Sequence, residues 1–134
     1  MQSGNSSNHS SLQPFHNGGR AEPVDIWKAR QFIEQNSAEE LSLNKVAKAV
    51  SISPTHLSEK FKEITGINFV DYVARNRFDR ACSLLPDKEA RIADIAFAAG
   101  FQSLSQFNRV FKKLAGKSPR AYRADQLGNG GNGH

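Results

Sequence analysis

The sequence predicts an all-α protein of about seven helices, with two helix-turn-helix subdomains joined by a long linker helix. Three observations predict it. Apolar residues recur at 3.6-residue spacing, and no stretch alternates with period two over a useful length. The punctuation is helical: Ser53-Pro54 and Ser118-Pro119 open helices, while Gly66, Gly100 and Gly116 close them. Finally, one module occurs twice. Residues 43–72 and 92–122 both run apolar-x-x-apolar-Ala, a short break, apolar-x-x-x-Phe-Lys, then Gly and later Tyr. From Leu57/Phe107 onward the offset is constant at 50, through Phe61/Phe111, Lys62/Lys112, Gly66/Gly116 and Tyr72/Tyr122. Before that it is 49, so the second copy carries one extra residue in its turn.

The elements follow in order. A first helix over 24–36 places Ile26, Ala29, Phe32 and Ile33 on one side, with Trp27 at its edge, either packed there or exposed as a partner contact. A short second one over 43–50 has Leu43, Val46, Ala47 and Val50 at i, i+3, i+4 and i+7. Ser53 caps the third, Pro54 takes its first position, and Gly66 ends it in the left-handed conformation that glycine adopts freely. The fourth runs over 69–85 and stops before Pro86; at about 1.5 Å per residue it is a rod of roughly 25 Å. Phe78, Ala81 and Leu85 give it a side to pack with, and Arg75, Arg77 and Arg80 give it positive charge, for phosphate or for its own Asp71 and Asp79. A fifth over 91–99 ends at Gly100; Ser103-Leu-Ser-Gln106 forms a capping box opening the sixth, which closes at Gly116; Ser118-Pro119 opens a short last helix. The expected organisation is therefore a polar tail over 1–22, a folded region over 23–127 and a second tail over 128–134. Within the folded region lie a first helix-turn-helix over 43–66, the linker helix over 68–85 and a second helix-turn-helix over 91–116. Both tails are rich in Ser, Asn and Gly and too poor in apolar surface to offset the entropy of ordering.

At 134 residues the chain has room for one domain or two very small ones. No apolar run is long enough to span a membrane, and the start is too polar for a signal peptide. A single cysteine excludes an internal disulfide and fits a reducing cytoplasm. Net charge is +5, and its distribution is uneven. Residues 25–40 carry Lys28 and Arg30 against Asp25, Glu34, Glu39 and Glu40, whereas residues 100–123 carry six bases and no acid. Such a basic stretch is a footprint for a polyanion, or simply a soluble surface.

A helical wheel separates core from surface in each second helix. Leu57, Phe61 and Ile64 face inward in the first copy, and Phe107, Val110, Phe111 and Leu114 in the second. The opposite arcs hold Thr55, Ser58, Glu59 and Lys62, and Ser105, Asn108, Arg109 and Lys112, related by the same offset of 50. The second set suits duplex DNA: the Arg109 fork matches guanine O6 and N7, and Asn108 can pair bidentately with adenine N6 and N7. Ser105 near the helix start can reach a base or phosphate and Lys112 a phosphate. In the first set Thr55 and Ser58 can donate. Glu59 repels phosphate unless it accepts from cytosine N4, and the alternative is an ion pair with Lys60 or Lys62. The capping residues Ser53 and Ser103 stand at the same helix starts. His56 and Leu104 lie on the flanks of the arcs, His56 as a partly buried packing or phosphate-contacting residue. No second His or Cys stands at ligand spacing, so neither a metal nor a cofactor is expected.

These residues resemble the DNA-binding domain of the AraC/XylS family of bacterial transcription regulators. The resemblance is carried by Val46-Ala47, the run from Ser53 to Gly66, Arg77-Phe-x-x-Ala-x-x-Leu-Leu85, Ile92-x-x-Ile-Ala-x-x-x-Gly-Phe101, Phe107-x-x-x-Phe-Lys-Lys-x-x-Gly116 and Ser118-Pro-x-x-Tyr122-Arg123. It covers roughly 25–124, with Phe97 where a smaller polar residue is common. It implies that the third and sixth helices are recognition helices entering major grooves, and that the chain regulates transcription in the bacterial cytoplasm at the nucleoid. It further implies RNA polymerase as a partner, and dimerisation through a sensing domain outside this sequence, with residues 1–22 as the interdomain linker; the alternative is a small stand-alone regulator. Two other readings stand beside it. One is repair of alkylated DNA by a reactive cysteine, for which Cys82 is the sole candidate and has no His or Cys to activate it. The other is a non-specific architectural or protein-interaction module.

Overall fold

The computed structural model describes the backbone of residues 16–17 and 20–132 and the side chains of residues 22–128. Its helices are α1 (Val24–Asn36), α2 (Leu43–Ala49), α3 (Pro54–Thr65), α4 (Phe69–Leu84), α5 (Ile92–Ala98), α6 (Leu104–Ala115) and α7 (Pro119–Asn132). The all-α class and the seven helices are as expected. The strands described are two residues each: β1 (His16–Asn17) pairs antiparallel with β2 (Arg20–Ala21), in the register His16↔Ala21 and Asn17↔Arg20. Most of the expected polar tail over 1–22 lies outside the described residues, as does the end of the second tail. Two departures are visible within them. The last helix is not short, since α7 continues to Asn132 through the glycines after Leu127. Glu22, assigned above to the tail, has a side chain only 1% exposed.

The chain forms two compact units, one from the residues up to Asn36 with Glu40–Val73, the other from Ser37–Glu39 with Ala74 onward. In the first unit Ile26, Ala29 and Ile33 of α1 pack with Val46 and Ala47 of α2, Leu57 and Phe61 of α3, and Phe69, Tyr72 and Val73 of α4. The second core joins Ala81 of α4 and Leu85 to Ile95 and Ala96 of α5, Ala99, Phe101, and Phe107 and Phe111 of α6. Half-buried Phe78 and Tyr122 cover it.

The sequence repeat is a repeat of contacts. Phe61 meets Tyr72 edge-on at 4.9 Å between ring centres, and Phe111 meets Tyr122 the same way at 5.3 Å. Ser53 and Ser103 each accept a hydrogen bond of 3.0 Å from the backbone N–H three residues on. Gly66 and Gly116 cap their helices with φ of 85° and 79°, each donating to the carbonyl of Lys62 or Lys112 at 2.9 Å. The turns differ as the change of offset requires. Ile52 donates to the Ala47 carbonyl and Phe101 to the Ala96 carbonyl, both at 3.0 Å, but the cap follows Ile52 directly and Phe101 only after Gln102. Gln102 is thus the inserted residue. Its N–H donates to Oε1 of Gln106 at 3.0 Å, so the reciprocal half of the capping box reaches one residue further back than the expected Ser103 N–H.

Three arginines stabilise this frame, and composition gave them other work. Arg30 is fully buried and donates from Nε and Nη2 to both carboxylate oxygens of Glu22, at 2.8 and 2.9 Å. Arg77 is 7% exposed and donates to the carbonyls of Ser37 (2.9 Å) and Glu39 (2.8 Å), so the expected phosphate contact is corrected to a backbone clamp within the second unit. Arg123 repeats the device on the α4–α5 connection, donating to the carbonyls of Leu85, Asp87 and Ala90 at 2.9, 3.1 and 2.6 Å. A guanidinium has five N–H donors in a fixed fork, so one side chain can satisfy several carbonyls that a short irregular loop leaves open.

Candidate nucleic-acid interface

Each helix that follows a turn buries one side and presents the other to solvent. On α3, Leu57 and Phe61 are fully buried, whereas Thr55, His56, Ser58, Glu59 and Lys62 are exposed. On α6, Phe107 and Phe111 are fully buried, whereas Ser105, Asn108, Arg109 and Lys112 are exposed. The caps Ser53 and Ser103 are exposed at the start of each helix. The structure therefore brings six of the expected site residues together on or beside α3 and five on or beside α6. Capping uses each serine hydroxyl as an acceptor and leaves its own proton available to a phosphate oxygen. Removing the cap is a separable effect: Ser103→Ala should lower stability by about 1 kcal/mol in a thermal melt read without DNA.

The two faces differ in charge. α3 carries Lys60 and Lys62 against Glu59 and Glu63 and is neutral; α6 carries Arg109, Lys112 and Lys113 with no acid, +3 by count. Lys60 lies 3.4 Å from Glu63, one turn along, so Lys60 is not the partner of Glu59. The exposed carboxylate of Glu59 stands at the register position that Arg109 fills in α6. His56 is not partly buried as expected: its ring is 44% exposed, with Nε2 3.2 Å from Oδ2 of Asp25 on α1. The imidazole thus braces the start of α3 against α1, with its remaining edge in solvent.

Of the six bases between residues 100 and 123, two are engaged within the fold. Arg123 is the clamp described above, and Lys117 pairs with Asp125 of α7. Arg109, Lys112, Lys113 and Arg120 are exposed. The positive surface is accordingly narrower than composition suggests, and three of its four charges lie on α6. Leu104, given above only a place on the flank, is also exposed at 40%, as the first residue of α6. The signal that could have found it is its place directly after the cap, where the first copy has Pro54.

The cysteine chemistry is unpromising. Burial pushes the Cys82 thiol up, only partly offset by a hydrogen bond with the Tyr122 hydroxyl. A raised thiol holds less thiolate at neutral pH, the opposite of an activated nucleophile. Among the described residues no three His, Cys, Asp or Glu side chains converge as a metal site would require, and no helix is long and apolar enough to cross a membrane.

Comparison with known proteins agrees with this geometry. A helix-turn-helix domain model matches residues 46–125. An uncharacterised helix-turn-helix-type transcriptional regulator of Staphylococcus aureus is 36% identical over 95 residues, which cover 71% of this chain. The chain spans only 13% of that relative's length. Among solved structures, the C-terminal domain of AraT, a response regulator from Geobacillus stearothermophilus, superposes with a TM-score of 0.73 at 33% identity, covering 76% of this chain and 85% of that one. A transcriptional regulator with an AraC-type DNA-binding domain from Chromobacterium violaceum gives 0.70 at 30% identity, covering 75% and 90%. Together with the doubled helix-turn-helix fold, these matches show that the chain belongs to the AraC/XylS family of transcriptional regulators and carries its DNA-binding domain.

Proposed function

We propose that the chain is a sequence-specific DNA reader that places α3 and α6 in successive major grooves of an asymmetric site. The observation that carries this reading is the matched register of two exposed faces with unlike chemistry. Thr55, Ser58, Glu59 and Lys62 stand where Ser105, Asn108, Arg109 and Lys112 stand, on helices capped and ended alike. Equal scaffolds favour equal docking, and unequal side chains favour two different half-sites. α6 is the stronger grip, because Arg109 and Asn108 can each make a bidentate base contact and Lys112 adds a phosphate contact. α3 is the weaker and more selective one, since a neutral face gains little from phosphate and Glu59 accepts only from a base such as cytosine. Successive major grooves on one face lie about 34 Å apart, and any shortfall in span would be met by bending the duplex.

RNA polymerase as a partner, and pairing through a sensing domain joined to this one, belong to the same proposal and rest on family membership. So does a cytoplasmic place of action at the nucleoid. A non-specific architectural role is the weaker reading, because it gives no reason for Asn108 and Arg109 to stand together on the exposed arc of α6.

Selection of binding sites from random DNA tests the proposal, followed by equilibrium binding of two variants. Arg109→Ala should cost about 1–3 kcal/mol and relax preference at one base pair, while Lys112→Ala should weaken all sequences alike and reduce the salt slope by about one. Enrichment of no sequence, or an Arg109→Ala variant with unaltered preference, would count against direct reading. Protection of one groove only would sink the two-groove arrangement.

A further inference from the structure

We infer that Leu104 is a specificity residue that reads the C5-methyl group of a thymine in the half-site under α6. The inference rests on the reading above, that α6 lies in a major groove, and adds a base contact of a different chemistry. Leu104 is 40% exposed, on a helix whose two phenylalanines, Phe107 and Phe111, are fully buried and whose Val110 and Leu114 are half-buried. It is more open than Val110 and Ala115, the half-buried residues of the same helix that help to cover the second hydrophobic core. Nor does the helix need it for its start. Ser103 supplies the cap, and the matching first position of α3 is Pro54, which serves by lacking an N–H. An exposed leucine thus stands at a helix start that does not call for an apolar group.

Its surroundings are those of a reader. Leu104 precedes Ser105 and lies one turn before Asn108, on the side of the wheel adjoining the outward arc. Cα–Cβ bonds tilt toward a helix's N-terminus, and recognition helices meet base edges with their N-terminal residues. A side chain at the first position therefore points deeper than Arg109 or Lys112. Leucine has no polar atom with which to contact phosphate or a base edge. The apolar feature of the major groove is the thymine methyl, which distinguishes T·A from the other pairs. Covering it with the half-exposed leucine removes apolar area of both groups from water.

Deoxyuridine differs from thymine only in lacking that methyl, so it tests the contact atom by atom. In a duplex selected by the full chain, each thymine is replaced singly by deoxyuridine, and equilibrium binding is measured for the native chain and for Leu104→Ala. At one thymine, loss of the methyl should weaken the native chain by about three- to tenfold. Leu104→Ala should bind the thymine duplex more weakly and be indifferent to the same replacement. A melt without DNA close to that of the native chain shows that the variant is folded. Indifference of the native chain at every thymine, or undiminished sensitivity in Leu104→Ala, overturns the inference. If the Arg109-dependent preference survives, the DNA-reading function stands without it; if no sequence is selected at all, both fall.

Discussion

Replacing Gly100 by alanine should destabilise the second unit by about 3 kcal/mol or more, with strain and overpacking both contributing. Gly100 has φ of 107°, a conformation in which an L side chain is strained, at a cost of about 1–2 kcal/mol. A Cβ there would also lie 2.1 Å from the carbonyl oxygen of Ser37 and 2.9 Å from Nε of Arg77. The first of these is backbone and cannot swing aside. Relief requires moving the Ser37–Glu39 segment, and with it the hydrogen bonds that Arg77 makes to the Ser37 and Glu39 carbonyls. Against a typical domain stability of about 5–15 kcal/mol this is a severe loss, roughly a fifth to three-fifths of the whole. Gly116→Ala is the control. Its φ is 79°, but nothing lies within 4 Å of the added Cβ, so backbone strain of about 1–2 kcal/mol is all it should cost. Urea melts of the two variants decide the matter. Equal losses would show that close approach at Gly100 is not what fixes the glycine.

That contrast also marks what could be read from the chain alone. Gly66, Gly100 and Gly116 were all recognisable as helix ends, because each closes a stretch of helical periodicity. Nothing local told Gly100 apart, since its neighbour Ser37 is 63 positions away in sequence and meets it only through tertiary packing. The reading faces were legible because a wheel needs only spacing: Phe61 and Phe111 fix the inward direction, and the outward residues follow. Long-range polar partners were not. Arg77, Arg123 and Lys117 look alike in a charge count, yet two hold backbone carbonyls and the third an aspartate. Counting bases therefore overstated the charge open to a polyanion, and the error came from treating every cation as surface. Gln106 shows the same limit at short range. Its type and spacing predicted a capping box, but the inserted Gln102 offered its N–H first.

The second large effect is expected at a residue that composition assigned to a tail. Glu22→Gln should destabilise the first unit by about 3–5 kcal/mol, because it removes a carboxylate that forks onto a buried guanidinium. Both side chains of the Glu22–Arg30 pair are essentially out of solvent, 1% and 0% exposed, and the contact is a bidentate fork. Tyr72 of α4 shares this environment: burial pushes its hydroxyl up to about 12, against the lowering effect of the nearby Arg30 charge. Its phenol thus stays neutral and cannot replace the lost carboxylate. Glutamine keeps the shape of the side chain, so a loss on this scale would report charge and not packing. The consequence reaches the proposed reading face, because α1 carries both Arg30 and the Asp25 that braces His56 at the start of α3. The variant should lose DNA affinity in step with its fraction unfolded and recover it at lower temperature, unlike Arg109→Ala, whose defect persists when fully folded. Replacing both partners by apolar residues of similar size, Glu22→Leu with Arg30→Met, should restore most of the stability, since an apolar pair leaves no charge to desolvate. A double variant no more stable than Glu22→Gln alone would show instead that the shape of the pair, and not its charge balance, holds α1 in place.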